Sequence, residues 1–284
     1  MYGKQNLTDL ESHFSFGENW ASYALGIGDE QISDAEAGLH RLLGDVDLTG
    51  KRFLDIGCGS GLHSLAALRQ GAAEVIALDF DPNSVTTTQA VLKKFAPPGS
   101  RYQVLTMSVF DLTPEMFGQF NVVYSWGVLH HTGNMYHALT QAGKMVIPGG
   151  HFLFALYQKT WLCPFWKWEK KHYASGSPAF QRFVQQMYFF IMDVRLRLKG
   201  SSLHSYKENY KLNKRGMDYQ HDVHDWLGGY PYESASPQEI ESFMNTEGFI
   251  INNVYTEKSV RLLGRSIGLS GSACDEFVYQ KVQK

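Results

Sequence analysis

Apolar and polar residues alternate in a regular way between residues 49 and 157. Short apolar runs, typical of buried strands, are separated by segments whose apolar residues recur at helical spacing. Residues 145–151 predict the end of a helix, a turn and the entry to a strand. The predicted strands cover residues 53–56, 75–78, 104–107, 120–125 and 152–157. This order predicts a parallel sheet with helices on both faces.

Residues 1–46 and 158–233 depart from this pattern. The first segment is polar and aromatic, with helical spacing of apolar residues over 32–43. The second segment interrupts the strand–helix alternation, and two helices are predicted in it, one within 161–168 and one over 180–198. These segments predict an N-terminal helical arm and a helical insert, or lid, after the fifth strand.

The strand–helix pattern resumes at Ser236, which is predicted to cap a helix. Pro237 suits the first helical position, and Glu239 stands at the capping-box position. Two strands follow, at 249–255 and 276–282. The chain is therefore predicted to be an α/β protein with a Rossmann-like, seven-stranded, mostly parallel sheet. The predicted domains are an arm at 1–46, a core at 47–157 and 234–284, and an insert at 158–233.

A glycine-rich loop joins the first predicted strand to the next helix. Asp55 lies near the end of the strand, glycines occupy positions 57, 59 and 61, and Asp79 follows the second strand, 22 residues after Gly57. This arrangement is typical of a nucleotide-binding unit in which the second acid faces ribose hydroxyls. The dinucleotide fingerprint is excluded because Leu62 stands where its third glycine is required. The Walker loop is excluded because no Gly-Lys-Ser/Thr follows.

This Asp-x-Gly-x-Gly-x-Gly loop with a second-strand acid resembles the class I S-adenosylmethionine-dependent methyltransferases, over most of residues 13–284. The resemblance implies S-adenosylmethionine as cofactor and an antiparallel last strand. It also implies that the backbone from Gly57 to Gly61 lies against the methionine part of the cofactor, with Asp55 nearby and Asp79 on the ribose. Further cofactor contacts are expected from Cys58, Gly59, Phe80 and Ser125.

The adenine contact and the arm are less tightly defined by the resemblance. The acid that the family places beside the adenine aligns near Ser108 and is replaced. The contact is expected from the Ser108 hydroxyl, the Val109 amide or Asp111. In similar methyltransferases an N-terminal arm covers the cofactor. Trp20 or Tyr23 is therefore expected either to touch the adenosine or the substrate, or only to pack the arm down.

Composition and charge constrain size, compartment and partners. The 284 residues are 44% hydrophobic, enough for one large or two small domains. Since there is no apolar run of eighteen residues, no N-terminal signal core and no C-x-x-C pair among three cysteines, a cytoplasmic protein is expected. Residues 157–216 carry 12 Lys and Arg against 3 Asp and Glu, in a chain of net charge −2. This surplus of basic residues predicts either a face that is exposed to solvent or a surface that binds phosphate or a membrane.

Methyl transfer from a sulfonium requires the protein to place the acceptor in line and to take its proton. Histidines that could act as the base occur in two places, after the fourth strand and in the insert, where acids could orient an imidazole. The strand-end candidates are His130 and His131, and the insert candidates are His221 and His224 with Asp222 and Asp225. Histidines three apart also suit a metal ion, but no further Cys or His cluster accompanies them, so no metal is predicted.

The expected acceptor is a small molecule that is methylated on oxygen. The Asn/Asp-Pro-Pro-Tyr/Phe tetrad of many enzymes that methylate planar nitrogens is absent after the fourth strand, where Ser125-Trp126-Gly127-Val128 stands. The resemblance is closest to methylases of quinone, lipid and secondary-metabolite pathways. An anionic or lipid-linked acceptor, peripheral membrane contact and the oligomeric state stay open, and no stable nucleic-acid partner is expected. Two alternatives remain: a methyltransferase of tRNA or another nucleic acid that uses the basic insert, and a cofactor-binding scaffold without catalysis.

Overall fold

The computed structural model describes residues 16–24, 26–213, 219–256, 261–262, 265–268 and 273–283. The helices are α1 Phe16–Ala24, α2 Asp29–Leu43, α3 Leu62–Arg69, α4 Pro82–Phe95, α5 Pro114–Phe117, α6 Met135–Lys144, α7 Cys163–Ala174, α8 Pro178–Arg197, α9 Leu203–Asn213, α10 Tyr219–Gly228 and α11 Pro237–Thr246. The strands are β1 Arg52–Ile56, β2 Glu74–Asp79, β3 Tyr102–Thr106, β4 Phe120–Trp126, β5 Val146–Tyr157, β6 Phe249–Tyr255, β7 Arg261–Leu262, β8 Arg265–Ser266 and β9 Cys274–Lys281.

The central sheet has seven strands in the order β3-β2-β1-β4-β5-β9-β6. The pairs β1–β2, β1–β4, β2–β3 and β4–β5 are parallel. β9 pairs antiparallel with both β5 and β6 and therefore lies between them. The predicted fold class, a Rossmann-like sheet with an antiparallel last strand, is confirmed. Because neighbouring strands run in the same direction, the carboxyl ends of β1, β2 and β4 meet at one edge, where open α/β sheets bind ligands.

The sheet separates two apolar cores. Consecutive strand residues point to opposite faces, so Phe53 and Leu54 of β1 belong to different cores. On the Leu54 face the sheet is covered by α6 and by α11, which contributes Ile240. On the Phe53 face it is covered by α3 and by α2, which contributes Leu39. This two-sided burial explains why the strands read as near-continuous apolar runs.

Capping side chains fix the starts of α4 and α11. The Asp81 carboxylate accepts a 2.8 Å hydrogen bond from the Asn83 amide, with Pro82 at the first helical position. Ser236 Oγ accepts from the Glu239 amide at 3.3 Å, and the Glu239 carboxylate accepts from the Ser236 amide at 2.9 Å. The predicted capping box is therefore confirmed.

The boundaries of β5 differ from the prediction. The strand begins at Val146 rather than at residue 152, because Val146 pairs with Phe120 before the register shifts and resumes at His151. Gly149, with φ 76°, lies within this irregularity. The apparent turn is therefore a bulged strand start.

The α7–α10 helices lie between β5 and α11, within the range predicted as the insert. Tyr173, Tyr210 and Tyr219 are central to a small apolar core of their own. The α1 helix reaches this insert, because Asn19 Nδ2 donates a 2.7 Å hydrogen bond to Asp225 Oδ1. In the described part of the chain, no helix combines the length and apolarity needed to span a bilayer.

Candidate active site

A cleft opens at the carboxyl ends of β1 and β2 and beside the turns that follow β3 and β4. Its empty volume is about 740 Å³, which includes space that is open to solvent. Phe16 of α1 lines it from the arm side, and Met107 and Val128 contribute apolar surface. The cleft therefore lies where the topology of the sheet predicts a ligand.

The glycine loop forms one wall of the cleft. Gly57 and Gly59 have φ values of 77° and 52°, which favour glycine. A Cβ at Gly57 would lie 2.3 Å from Val128 Cγ2, and one at Gly59 would lie 3.2 Å from the Trp20 ring. Any side chain at Gly57 would therefore displace the β4 turn, and the bare backbone is left to face the cleft.

Asp79 lies at the end of β2 and lines the cleft. Its carboxylate oxygens accept hydrogen bonds from the Gly59 amide at 3.0 Å and the Asp81 amide at 2.9 Å. Burial raises the Asp79 pKa to about 6, although the backbone bonds oppose that shift. At neutral pH the group is thus largely ionised. Each carboxylate oxygen has two lone pairs, so the carboxylate can also accept bonds from ligand hydroxyls.

The predicted cofactor residues fall into two groups, those that line the cleft and those that do not. Those that line the cleft are Gly57, Asp79, Phe80, Ser108 and Val109. Ser108 Oγ accepts a 3.2 Å hydrogen bond from the Phe110 amide and so begins the short helical turn after β3. Asp111, the third alternative for the adenine contact, is exposed and does not line the cleft.

The other predicted cofactor residues do not line the cleft. Asp55 is buried and accepts a 2.6 Å hydrogen bond from Ser64 Oγ, and burial raises its pKa to about 7. Ser125 Oγ donates to the Ile56 carbonyl at 3.0 Å. Asp55 and Ser125 therefore stabilise the glycine-loop wall of the cleft from the side that faces the protein interior. Cys58 and Gly61 belong to the glycine loop itself, where Cys58 Sγ accepts a hydrogen bond from Thr88 Oγ1, and Trp20 packs on Gly59.

Among the residues that the structure describes, His131 is the histidine that lines the cleft. Its Nδ1 lies 2.7 Å from the Pro231 carbonyl oxygen, and its ring centroid lies 5.3 Å from that of Phe16. A carbonyl only accepts hydrogen bonds, so Nδ1 carries the proton. In the neutral ring, Nε2 then carries the basic lone pair. An unprotonated nitrogen is one requirement of a general base. The ring edge with Cε1 and Nε2 lies beside Gly229, where an added Cβ would be 3.3 Å from Nε2.

His130 lies behind His131, with ring centroids 4.2 Å apart. It is fully buried, and a backbone hydrogen bond with Ala155 only partly offsets the effect of burial on the pKa of its ring. Burial, with the nearby His131 and Lys170, lowers its pKa well below the usual value. His130 is therefore a neutral packing partner of Tyr157, whose ring centroid is 4.1 Å away, and it does not line the cleft.

The predicted insert candidates lie on α10, and none of those described lines the cleft. His224 Nδ1 lies 2.7 Å from Tyr173 Oη and 2.8 Å from Gln185 Nε2. Asp222 accepts from the Tyr210 hydroxyl, and Asp225 accepts from Asn19. The His221 side chain lies outside the described residues. The structure thus uses His224, Asp222 and Asp225 to join helices of the insert and the arm.

Lys170 was not singled out in the sequence, yet its surroundings are unusual. It is fully buried, and its Nζ has no hydrogen-bond partner within the described residues. The amine lies 3.9 Å from the Trp226 ring centroid. Burial lowers the Lys170 pKa and raises that of Glu169. Lys170 lies four residues after Trp166, which is also buried, and this helical spacing is the one sequence signal that could have found it.

Comparison with known protein families points to one enzyme class. A family model described as a methyltransferase domain matches residues 29–269. The chain is 35% identical to the tRNA U34 carboxymethyltransferase of Hahella chejuensis (strain KCTC 2396) over 106 residues. These 106 residues cover 37% of this chain and 32% of that protein. The matched stretch therefore spans about a third of that relative's length.

Solved structures share the fold over nearly the whole chain. The magnesium protoporphyrin IX methyltransferase from Synechocystis PCC 6803, with bound SAH, aligns over 93% of both chains, with 14% identity and a TM-score of 0.53. A putative S-adenosylmethionine dependent methyltransferase from Listeria monocytogenes aligns over 89% of this chain and 99% of its own, with 15% identity and a TM-score of 0.52. At these identities the likeness concerns the fold alone.

Proposed function

This chain belongs to the methyltransferase domain family and is a class I S-adenosylmethionine-dependent methyltransferase, and from this premise we propose that it methylates an oxygen atom of a small molecule. S-adenosylmethionine supplies an electrophilic methyl group when bound. The residues of the cleft fit that cofactor. Asp79 offers carboxylate oxygens to ribose hydroxyls, and the loop at Gly57 offers bare backbone.

The observation that carries the proposal is the orientation of His131 at the cleft. The Pro231 carbonyl holds Nδ1 as the donor, so Nε2 is the nitrogen that can take a proton from an acceptor hydroxyl. In that step the acceptor O–H bond would break, an Nε2–H bond would form, and the oxygen would keep the electron pair with which it bonds to the methyl carbon. The carbon–sulfur bond of the sulfonium would break at the same time, and its electron pair would stay on the departing thioether sulfur. A positioned base of this kind contributes roughly 10²–10⁴-fold to the rate.

The surroundings of His131 support this role. Phe16 packs against one side of the ring, and Tyr157 meets it edge-on with ring centroids 5.2 Å apart. Thr132, the next residue, also lines the cleft, and its Oγ1 donates to the Leu129 carbonyl at 2.8 Å. These contacts limit the orientations open to the ring, and alignment of reacting groups is a large part of catalysis in methyl transfer.

The test is a methyl-transfer assay with S-adenosylmethionine labelled on the methyl carbon. Purified protein is incubated with a metabolite extract from its source, and the products are separated into small-molecule and macromolecular fractions. We expect label in a small molecule, with mass spectrometry placing the methyl on oxygen. Label on nitrogen or carbon would overturn the choice of oxygen, and label only in macromolecules would overturn the small-molecule proposal.

A second candidate, methyl transfer to tRNA, is favoured by two observations. The 35% identity over 106 residues is to a protein named as a tRNA U34 carboxymethyltransferase, and residues 157–216 hold 12 basic against 3 acidic residues. Binding of nucleic acid through such residues should weaken steeply as salt rises. Incubation of the same labelled cofactor with total tRNA distinguishes the two candidates, because only a tRNA methylase leaves label in nuclease-sensitive material.

A further inference from the structure

The α8 helix is apolar on two faces. Toward the protein, Val184, Tyr188 and Phe189 pack against the aromatic core of the insert. Away from the protein, six large apolar side chains are exposed, and we call them the α8 stripe. The α8 stripe consists of Phe180, Phe183, Met187, Phe190, Ile191 and Val194.

The α8 stripe is narrow and continuous. At about 100° per residue, its members fall within an arc of roughly 100° around the helix. It is about 21 Å long at the usual helical rise. Phe183 and Phe190, near its centre, are 61% and 68% exposed, and Leu198, just beyond the helix, is 85% exposed. An apolar row of this size on a surface marks a site of interaction.

The exposed Lys, Arg, Asp and Glu residues between 161 and 200 all have one sign, whereas the exposed Glu208 lies on the neighbouring α9. Between residues 161 and 200, all of which are described, no carboxylate residue is exposed. The carboxylate oxygens of Glu169 are buried, and Asp193 is half-buried and accepts a 2.8 Å hydrogen bond from Arg197 Nε. The exposed cations are Lys167, Lys171, Arg182, Arg197 and Lys199.

This combination fits a negatively charged lipid surface. A helix with an apolar face and basic residues on its border lies in the plane of the headgroups, with its apolar side chains at the acyl boundary. Trp161, Phe165 and Trp168 are also exposed next to and within α7, and aromatic residues, tryptophan above all, favour the membrane–water interface. A second copy of the chain fits less well, because a twofold interface would bring the same cations together.

We infer that the α8 stripe and its bordering cations form a docking surface for an anionic lipid bilayer, with α8 lying parallel to the membrane plane. The helix is not apolar enough to cross a bilayer, so the contact is peripheral. The inference does not depend on which acceptor is methylated, because no residue of the cleft takes part in it.

The test uses the full chain and sedimentation with unilamellar vesicles. One set contains equal parts of phosphatidylglycerol and phosphatidylcholine, and the other contains phosphatidylcholine alone. We expect binding to the anionic set that weakens at least about tenfold between about 50 mM and about 500 mM salt, because salt screens the cations. Binding to the neutral set should be much weaker. Absence of binding to the anionic set at low salt would overturn the proposal.

Two pairs of variants separate the apolar and the charged contributions. Phe183→Ser with Phe190→Ser should weaken binding to anionic vesicles by roughly 30-fold or more, because two large apolar groups are removed from the surface. Its matched control is Met116→Ser with Ile250→Ser, which removes side chains that are 53% and 52% exposed elsewhere. This control should bind as the wild type does.

The charge pair is Arg197→Gln with Lys199→Gln, which should weaken binding by roughly 30-fold at low salt. Its control is Lys93→Gln with Arg101→Gln, which removes two exposed cations outside the insert. This control should have little effect on vesicle binding. If both control pairs weaken binding as much as the test pairs, the surface is not specific and the proposal fails. Sedimentation velocity tests for a second copy of the chain as the partner. If the wild type is a dimer that the double variant Phe183→Ser with Phe190→Ser dissociates, and vesicles bind neither the wild type nor the variant, the proposal is also overturned.

Discussion

Asn19 on the first helix donates a 2.7 Å hydrogen bond to Asp225 on the last helix of the insert. The bond joins two segments that are more than two hundred residues apart in sequence. Part of the Asp225 residue is accessible to solvent, but its carboxyl group is enclosed. Burial raises the Asp225 pKa well above the usual value, although the Asn19 bond lowers it and Asp222 raises it further. The contact therefore holds a carboxyl group whose ionisation is unfavourable in the folded protein.

Asp225→Asn should make the protein more stable at pH 8. A raised pKa in the folded state means that the unfolded chain binds fewer protons above about pH 4, so the contribution of Asp225 to stability falls as the pH rises toward its folded pKa. Asparagine keeps the acceptor for Asn19 without a charge. At pH 8 we expect a gain of at least about 1 kcal/mol, the equivalent of one pKa unit, measured by urea unfolding.

The gain from Asp225→Asn should become small near pH 4, where the Asp225 carboxyl group is protonated in the folded protein and about half protonated in the unfolded chain, and it should vanish at lower pH. Asp45→Asn is the control, because Asp45 is an exposed residue and should show no such pH dependence. A gain from Asp225→Asn that is the same at pH 4 and pH 8 would contradict the account of a buried carboxyl group.

Asp79→Ala should weaken binding of S-adenosylhomocysteine by ~1.5–3 kcal/mol, the contribution of hydrogen bonds to a charged group. Titration calorimetry on the folded variant measures the change. Because the pKa of Asp79 is about 6, wild-type affinity should also fall as the pH drops below 6, where the carboxyl group gains a proton. The exposed Asp111→Ala is the matched control and should bind normally; an unchanged affinity in Asp79→Ala would remove Asp79 from the site.

His131→Gln should lower kcat by roughly 10²–10⁴-fold once the acceptor is identified, because no group would remain to take the proton through Nε2. The acidic limb of the pH–rate profile should disappear with it, while the affinity for S-adenosylhomocysteine should stay close to that of the wild type.

His224→Gln is the comparison variant for His131, because His224 contacts Tyr173 and Gln185 and does not line the cleft. It should lower stability and leave the acidic limb in place. If instead His224→Gln removes that limb and His131→Gln keeps it, the base lies on α10 and the assignment to His131 is wrong.

Lys170→Met should stabilise the fold at pH 6, because burial disfavours the charged amine that this variant removes. Burial lowers the folded pKa of Lys170, so the stability of the wild type rises with pH between that value and the unfolded pKa. The advantage of methionine should therefore decline by pH 10. A destabilised Lys170→Met at pH 6, with an unaffected control at the exposed Lys171→Met, would mean that the amine near Trp226 stabilises the folded state.

The local parts of this molecule could be predicted from its sequence. The positions of Gly57, Asp79 and Ser236 depend on neighbours within a few residues, and strand, turn and cap patterns are specific at that range. The bulged start of β5 was less accessible, because Gly149 and its neighbours form a turn pattern that only the pairing of Val146 with Phe120 overrides.

The catalytic candidates show where sequence patterns cease to be sufficient. His130 and His131 are adjacent, and a three-residue helical turn has no periodicity that shows which one faces a cleft. His224 has neighbours typical of a functional site, but its role depends on contacts with Tyr173 and Gln185, which lie 51 and 39 residues away in sequence. Such contacts arise from the packing of α7, α8 and α10, and no local pattern encodes them.

The position of β9 has a consequence for synthesis on the ribosome. Within the part of the chain that the structure describes, β6 joins the sheet through β9 alone, so residues 249–255 pair with the sheet after residues 274–281 have been made. Until then, β5 also presents an unpaired edge, and open edges of this kind readily pair with other chains. The nascent protein thus passes through a stage in which the nucleotide-binding half is complete while its outer edge still needs protection, and chaperones that bind extended segments should be most needed then.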